Sequence, residues 1–317
     1  MEGNARIPLL QLFPELTTPI LADQIEERRL SMPTPPVVAP AQRPDTAIPP
    51  ARDVKLIFIC DSFYAPSHWS RLHAKLIHLK LYLCEFLELG STQVPEDPSG
   101  RKNLRDDTSQ IHAATLRALQ AGTDVIIIAH GYAGCPTNNA LQGLDIRSRT
   151  AAGASTCVRG LIFIAAMPLM TGLTVLQQFG GIALDCHVFE EHGTFIFMKN
   201  PPGAAKCLFN DLPDDEAHLW ASNLLGQSWM AYCEQTDHAA YELIPSVYVK
   251  CGEDRAFPHG WQDAVIENSQ SIGAILKVHE MPDAGHTPFL GRFEDEFAMF
   301  IYETVEDLRY RDMQWLM

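Results

Sequence analysis

The sequence predicts an α/β protein: a mostly parallel, doubly wound sheet with an inserted helical cap. Three observations carry that expectation. Short continuous apolar runs, such as VKLIFIC (54–60), DVIIIA (124–129) and VRGLIFIAA (158–166), alternate with segments of helical periodicity. Strands buried on both faces by crossover helices have this pattern. The rhythm breaks at about residue 170 and resumes after about residue 241, which marks an insertion. Finally, 317 residues with 46% hydrophobic and 20% charged content suffice for a large core without disulfide staples.

Each element has its own justification. Ten of the 22 prolines precede Ala51; proline fixes φ and lacks an amide donor, so residues 1–52 read as a Pro-rich arm or linker. The short apolar segments of that arm offer a surface for docking on the body or on a second copy of the chain. The main domain, residues 53–317, opens with strand 54–60, the turn DSFYAPS and a helix from about His68. A strand is expected within LYLCEFLEL (81–89), then a helix from about Leu104 to Gln120. Strand 124–129, a helix over NNALQGL and strand 158–166 follow. The cap, about 170–241, brings Phe209, Leu212, Trp220, Leu224, Leu225 and Trp229, some of them expected to line an apolar pocket. SVYVKC (246–251), a helix from about Gly260 and AILKVHEM (274–281) resume the alternation. A last helix, from about Arg292 to Leu308, sets Phe293, Phe297, Ile301, Val305 and Leu308 at helical spacing.

Charge and composition exclude several classes. A formal net charge of −15 argues against nucleic acid and anionic membrane as partners. Eight scattered cysteines without a CxxC pair read as reduced thiols, no stretch approaches a membrane span, and the N-terminus lacks a secretory pattern. A cytoplasmic protein without cofactor or metal is expected. Gly131 and Gly134 open a helix after a strand, but a dinucleotide fingerprint needs an earlier glycine where Ala129 stands. CHVFEEH (186–192) gathers ligand-type side chains, Cys186, His187, Glu190, Glu191 and His192, without a recognised metal spacing, and reads as a polar strand or loop edge.

IIIAHGYAG, YVKCGEDRAFP and DAGHTPFL stand in order along the chain. Together they resemble the α/β-hydrolase fold, in particular its small-molecule esterase branch, with plant methylesterases, hydroxynitrile lyases and fungal biosynthetic-cluster proteins. The resemblance spans roughly Val54 to Leu308. It implies a nucleophile elbow at AHGYAG, a catalytic acid at Asp254 (with Glu253 as a substitute) and a general base at His286. It also implies an oxyanion hole made by the backbone amides of Ser62 and Tyr132.

Two departures alter that picture. Gly131 stands in the place of the serine and has no atom that can attack a carbonyl. Glycine suits the left-handed backbone of such an elbow, so chemistry is deleted while the turn is kept. Asp61 falls on or beside the glycine of the oxyanion-hole turn, where a carboxylate would repel an oxyanion. Because both parts change together, natural divergence explains them better than a single introduced substitution. Asp61 with His286 offers an acid/base pair, or Asp61 is merely an exposed turn residue. Cys135 reads as a core thiol rather than a displaced nucleophile, and nothing beyond its loop supports Ser62 in that role.

Three functions remain open. One is an enzyme acting on a hydrophobic small molecule through His286 and Asp254, in a cyclisation, isomerisation or lyase step of a biosynthetic pathway. Another is an ester, lactone or thioester hydrolase in which His286 activates water. The third is an inactive binding protein, against which the retained acid and base both count.

Overall fold

Six apolar runs form one parallel sheet in the computed structural model. It describes residues 53–310 apart from 82, 93–100, 179–185, 190–193 and 200. The Pro-rich arm and its proposed role in self-association lie outside the described residues, as do Glu190, Glu191 and His192. The strands are β1 (Val54–Ile59), β2 (Cys84–Leu87), β3 (Asp124–His130), β4 (Val158–Ile164), β8 (Ser246–Cys251) and β9 (Leu276–Met281), ordered β2-β1-β3-β4-β8-β9. Every residue of β3 is buried, as its unbroken β-branched run requires.

Helices cover the sheet. The one at Leu104–Gln120 starts where Asn103 caps the amides of Arg105 and Asp106. His259–Ser271 and Glu294–Tyr310 follow β8 and β9, and Phe297, Ile301, Val305 and Leu308 are buried as their spacing predicts. The helix expected over NNALQGL begins earlier, at Gly134, straight after a tight 3-10 turn at Gly131–Ala133.

Between β4 and β8 the chain builds the covering segment, and it is not purely helical. Its helices at Val175–Gln178, Pro201–Leu208, Asp214–Ala221 and Met230–Cys233 accompany an antiparallel sheet of β5 (His187–Phe189), β6 (Phe195–Met198) and β7 (Gln227–Ser228). Strands of three, four and two residues are too short for a period-two pattern to show. The amide of Leu225 donates to the carbonyl of Phe63, tying this segment over the turn that follows β1. The loops after β1, β3, β8 and β9 meet at the carboxyl edge of the sheet, where open parallel sheets place their ligands.

Candidate active site

Two neighbouring strands bring Gly131 and Asp61 face to face. Ile59 of β1 pairs with Ala129 of β3, and each residue of interest lies two positions further on. Gly131 has φ +54°, in the left-handed region that glycine enters freely. A Cβ built on it would lie 2.1 Å from Cγ of Asp61, so the Asp61 carboxyl occupies the space of a side chain at 131. The two departures in the sequence therefore meet at one point of the structure.

The carboxyl group also takes the expected oxyanion hole. Oδ1 of Asp61 accepts from the amides of Ser62 at 2.7 Å and Tyr132 at 2.6 Å. The expectation that Asp61 would repel an oxyanion in that hole gives way to a simpler arrangement: the chain supplies the anion itself. Asp61 is buried, which corrects the reading of an exposed turn residue. Tyr132 is held by its hydroxyl, which donates to Asp107 at 2.9 Å, where Ser91 also donates through its amide at 2.9 Å. Burial pushes Asp107 up to about 6, against the pull of these donors. Phe63, at φ +71°, shows the strain of the turn that presents Asp61 and Ser62.

The acid and base of the resemblance do meet. Nδ1 of His286, in the loop after β9, lies 2.8 Å from Oδ2 of Asp254, in the loop after β8. Asp254 is oriented by the amides of Ala256 and Phe257, both donating to Oδ1 at 2.8 Å, so Glu253 is not the partner. On the other side of the ring, Nε2 lies 2.9 Å from Oδ2 of Asp61. His286 does not face the cavity alone: Asp61 stands in front of it, and the two are joined as the acid/base pair among the expectations requires. Side-chain exposures of 0% for Asp254, 2% for His286 and 8% for Asp61 give the same order from inside to outside.

This flanking sets the charges. Burial alone would lower the His286 imidazole, but the two carboxylates outweigh it and push it up to about 10. Burial would raise Asp61; the His286 hydrogen bond, nearby imidazole charge and the Tyr132 amide together hold it below the usual carboxylate range. The resting trio is thus carboxylate, imidazolium, carboxylate. His130, buried and pushed down to about 3 first by desolvation and then by His286, is neutral; its Nε2 donates to the His286 carbonyl at 2.9 Å. Asp61, His130 and His286 each bring a ligand-type atom within 4.8 Å of the others, a grouping the sequence does not reveal. A cation seated there would have to displace the proton between His286 and Asp61.

Asp61, Ser62, His187, Tyr232 and His286 are the polar lining of a recess whose space, open solvent included, is about 350 Å³. Its apolar wall includes Phe63, Met167, Met198, Leu208 and Phe257. The covering segment contributes Cys186, His187, Met198, Leu208 and Tyr232, and none of the six apolar residues of which some were expected there; Phe209, Leu212 and Trp229 are packed in the core instead. No local pattern in the sequence marks Tyr232 as a site residue. Cys135 is buried with its thiol pushed up by desolvation, as a core cysteine should be. Among the described residues no helix is long and apolar enough to cross a membrane.

The model of the alpha/beta hydrolase family matches residues 56–299. The chain is 25% identical over 237 residues to "Alpha/beta hydrolase nvfD" of Aspergillus novofumigatus, covering 74% of this chain and 90% of that protein. It is 26% identical over 192 residues to "Probable hydrolase R7" of a Phoma species, covering 60% and 74%. Among solved structures, tomato methylketone synthase I complexed with 2-tridecanone superposes with a TM-score of 0.64 at 14% identity, over 82% of this chain and 99% of that one. A variant of the same enzyme was solved with β-ketoheptanoate.

Proposed function

The chain belongs to the alpha/beta hydrolase family, and from that premise we propose that it performs acid–base rather than acyl-transfer chemistry on an apolar small molecule. The single observation that carries this reading is the Asp61 carboxyl group in the seat of the nucleophile, joined to both hole amides and to His286. With the seat filled there is no acyl acceptor and no vacant hole for a tetrahedral intermediate. What stands at the recess is a carboxylate that its neighbours keep ionised.

The trio works by moving one proton either way from its resting state. Asp61 takes an acidic proton from the substrate, and the positive His286 beside it lowers the cost of the anion elsewhere in the site. In the other direction, His286 gives its proton through Oδ2 of Asp61 to a substrate atom, and Asp254 holds the neutral ring in orientation. Abstraction at one atom and return at another is isomerisation; abstraction followed by bond closure or bond loss is cyclisation or lyase chemistry. Resting charges of −1, +1 and −1 favour a neutral substrate over an anion. Methylketone synthase I holds a β-keto acid and a methyl ketone on the same fold. A place in a fungal biosynthetic pathway is in keeping with the two relatives from Aspergillus and Phoma.

The relatives' names favour a second reading, hydrolysis by water activated at His286 and Asp61. One experiment separates the two. The full chain, incubated in D2O with apolar 2-alkyl β-keto esters, should exchange the α-proton faster than buffer does. It should take no label from a fluorophosphonate and show no burst with p-nitrophenyl esters. Labelling, or steady ester turnover without exchange, overturns the proposal.

A further inference from the structure

Asp61 leaves the site with a gap in its chemistry. Removing a proton next to a carbonyl puts negative charge on the carbonyl oxygen, which needs a donor. The usual donors, the amides of Ser62 and Tyr132, are committed to Oδ1 of Asp61. The substrate oxygen must find another group on the polar end of the recess, within reach of the atom that Asp61 deprotonates.

The Ser62 side chain meets that need. Ser62 follows the base directly in the chain, is buried and lies on the wall of the recess. Its Oγ accepts from the Tyr232 hydroxyl at 2.7 Å. Accepting that bond leaves the hydrogen of Ser62 to donate elsewhere, and no acceptor for it is found among the described residues. Hydrogen bonds in series polarise one another, so a hydroxyl that accepts from a tyrosine is a stronger donor onward. Tyr232 is itself buried, which keeps it protonated. Of the remaining polar groups on the wall, Asp61 and His286 hold each other and Tyr232 donates to Ser62, while His187 is half-buried, stands on β5 and is kept neutral by desolvation.

We propose that the Ser62 hydroxyl, backed by Tyr232, is the donor that holds the substrate oxygen, and that the substrate is therefore a neutral enolisable ketone or ester. This rests on the acid–base reading above. In the step, Oδ2 of Asp61 takes the α-proton, and the C–H electron pair becomes the carbon–carbon π bond. The carbonyl π pair moves onto oxygen, which Ser62 holds. Returning the proton from Asp61 to carbon reverses each change, so the exchange needs no co-reactant. Ser62 touches the substrate in this scheme; Tyr232 acts through Ser62 and is a positioning residue.

The experiment measures deuterium exchange into a 2-alkyl β-keto ester by the full chain and its Ser62→Ala, Ser62→Thr, Tyr232→Phe and His187→Phe variants, alongside each variant's unfolding midpoint. Ser62→Ala should lose about 10²–10³-fold in kcat with KM little changed, the size of losing one oxyanion donor. Ser62→Thr keeps the hydroxyl and should recover most of the rate. Tyr232→Phe should lower kcat several-fold at unchanged KM, an effect that a purely structural role would not confine to kcat. Equal rates for wild type and Ser62→Ala, or a loss confined to His187→Phe, overturn the assignment while leaving Asp61 as base. No exchange by the wild-type chain overturns the assignment together with the acid–base reading it rests on. Should Ser62→Ala unfold, the kcat of Tyr232→Phe decides: unchanged, it overturns the assignment.

Discussion

Serine introduced at Gly131 alone yields no esterase, whereas Gly131→Ser combined with Asp61→Gly creates one. The single variant puts a Cβ where the Asp61 carboxyl group already stands, 2.1 Å from its Cγ. It also places a non-glycine residue at φ +54°, a strain of ~1–3 kcal/mol. Asp61 would have to swing aside, and while it stays it competes for Nε2 of His286 and for both hole amides. Removing the carboxylate frees all three groups at once. The double variant then has a serine beside a histidine that Asp254 still orients, with the Ser62 and Tyr132 amides vacant. We expect burst acylation by p-nitrophenyl acetate and fluorophosphonate labelling, with the double variant at least ~10²-fold above either single one, since one hole donor alone is worth that much. Labelling of Gly131→Ser as strong as that of the pair would show that Asp61 does not block the seat.

Asp61→Asn removes the base while keeping its shape. The amide oxygen can still accept from Ser62 and Tyr132, so the turn should hold. Exchange into β-keto esters should fall by about 10²–10⁴-fold in kcat, the usual worth of a positioned general base. The side-chain NH2 now faces Nε2 of His286, and the imidazole, with one carboxylate instead of two, should give up its extra proton at lower pH. Measured by proton NMR, the His286 titration should move down from about 10. An Asp61→Asn protein with undiminished exchange would leave Asp61 no part in the chemistry.

Much of this was legible in the residues. Continuous β-branched runs place the strands because burial on both faces leaves no room for polar alternation. Gly131 is visible as a lost nucleophile because HGYAG keeps the turn's small residues, and Asp254 and His286 are visible through GEDRAFP and AGHTPF. The contact between Asp61 and Gly131 shows in no local pattern, although the pairing of Ile59 with Ala129 entails it once β1 and β3 are aligned as neighbours. Without that register, a carboxylate at 61 reads as an obstacle in an oxyanion hole rather than its occupant. Tyr232 gave no local signal, because its partner Ser62 lies 170 positions away and only folding of the covering segment joins them. The small sheet β5-β6-β7 escaped for want of length.

The pH profile of deuterium exchange decides which group meets the substrate. Asp61 acts as base only when ionised, so activity is present above its lowered pKa and is lost as pH falls through it. His286 supplies the positive charge only when protonated, so that support is present below about 10 and is lost as pH rises through it. With Asp61 as base, kcat/KM should be flat across neutral pH, with an acid limb below the ordinary carboxylate value of about 3.9 and an alkaline limb near 10. An acid limb at pH 6 or above would mean that a neutral imidazole takes the proton, and that Asp61 stands in the site as a bystander.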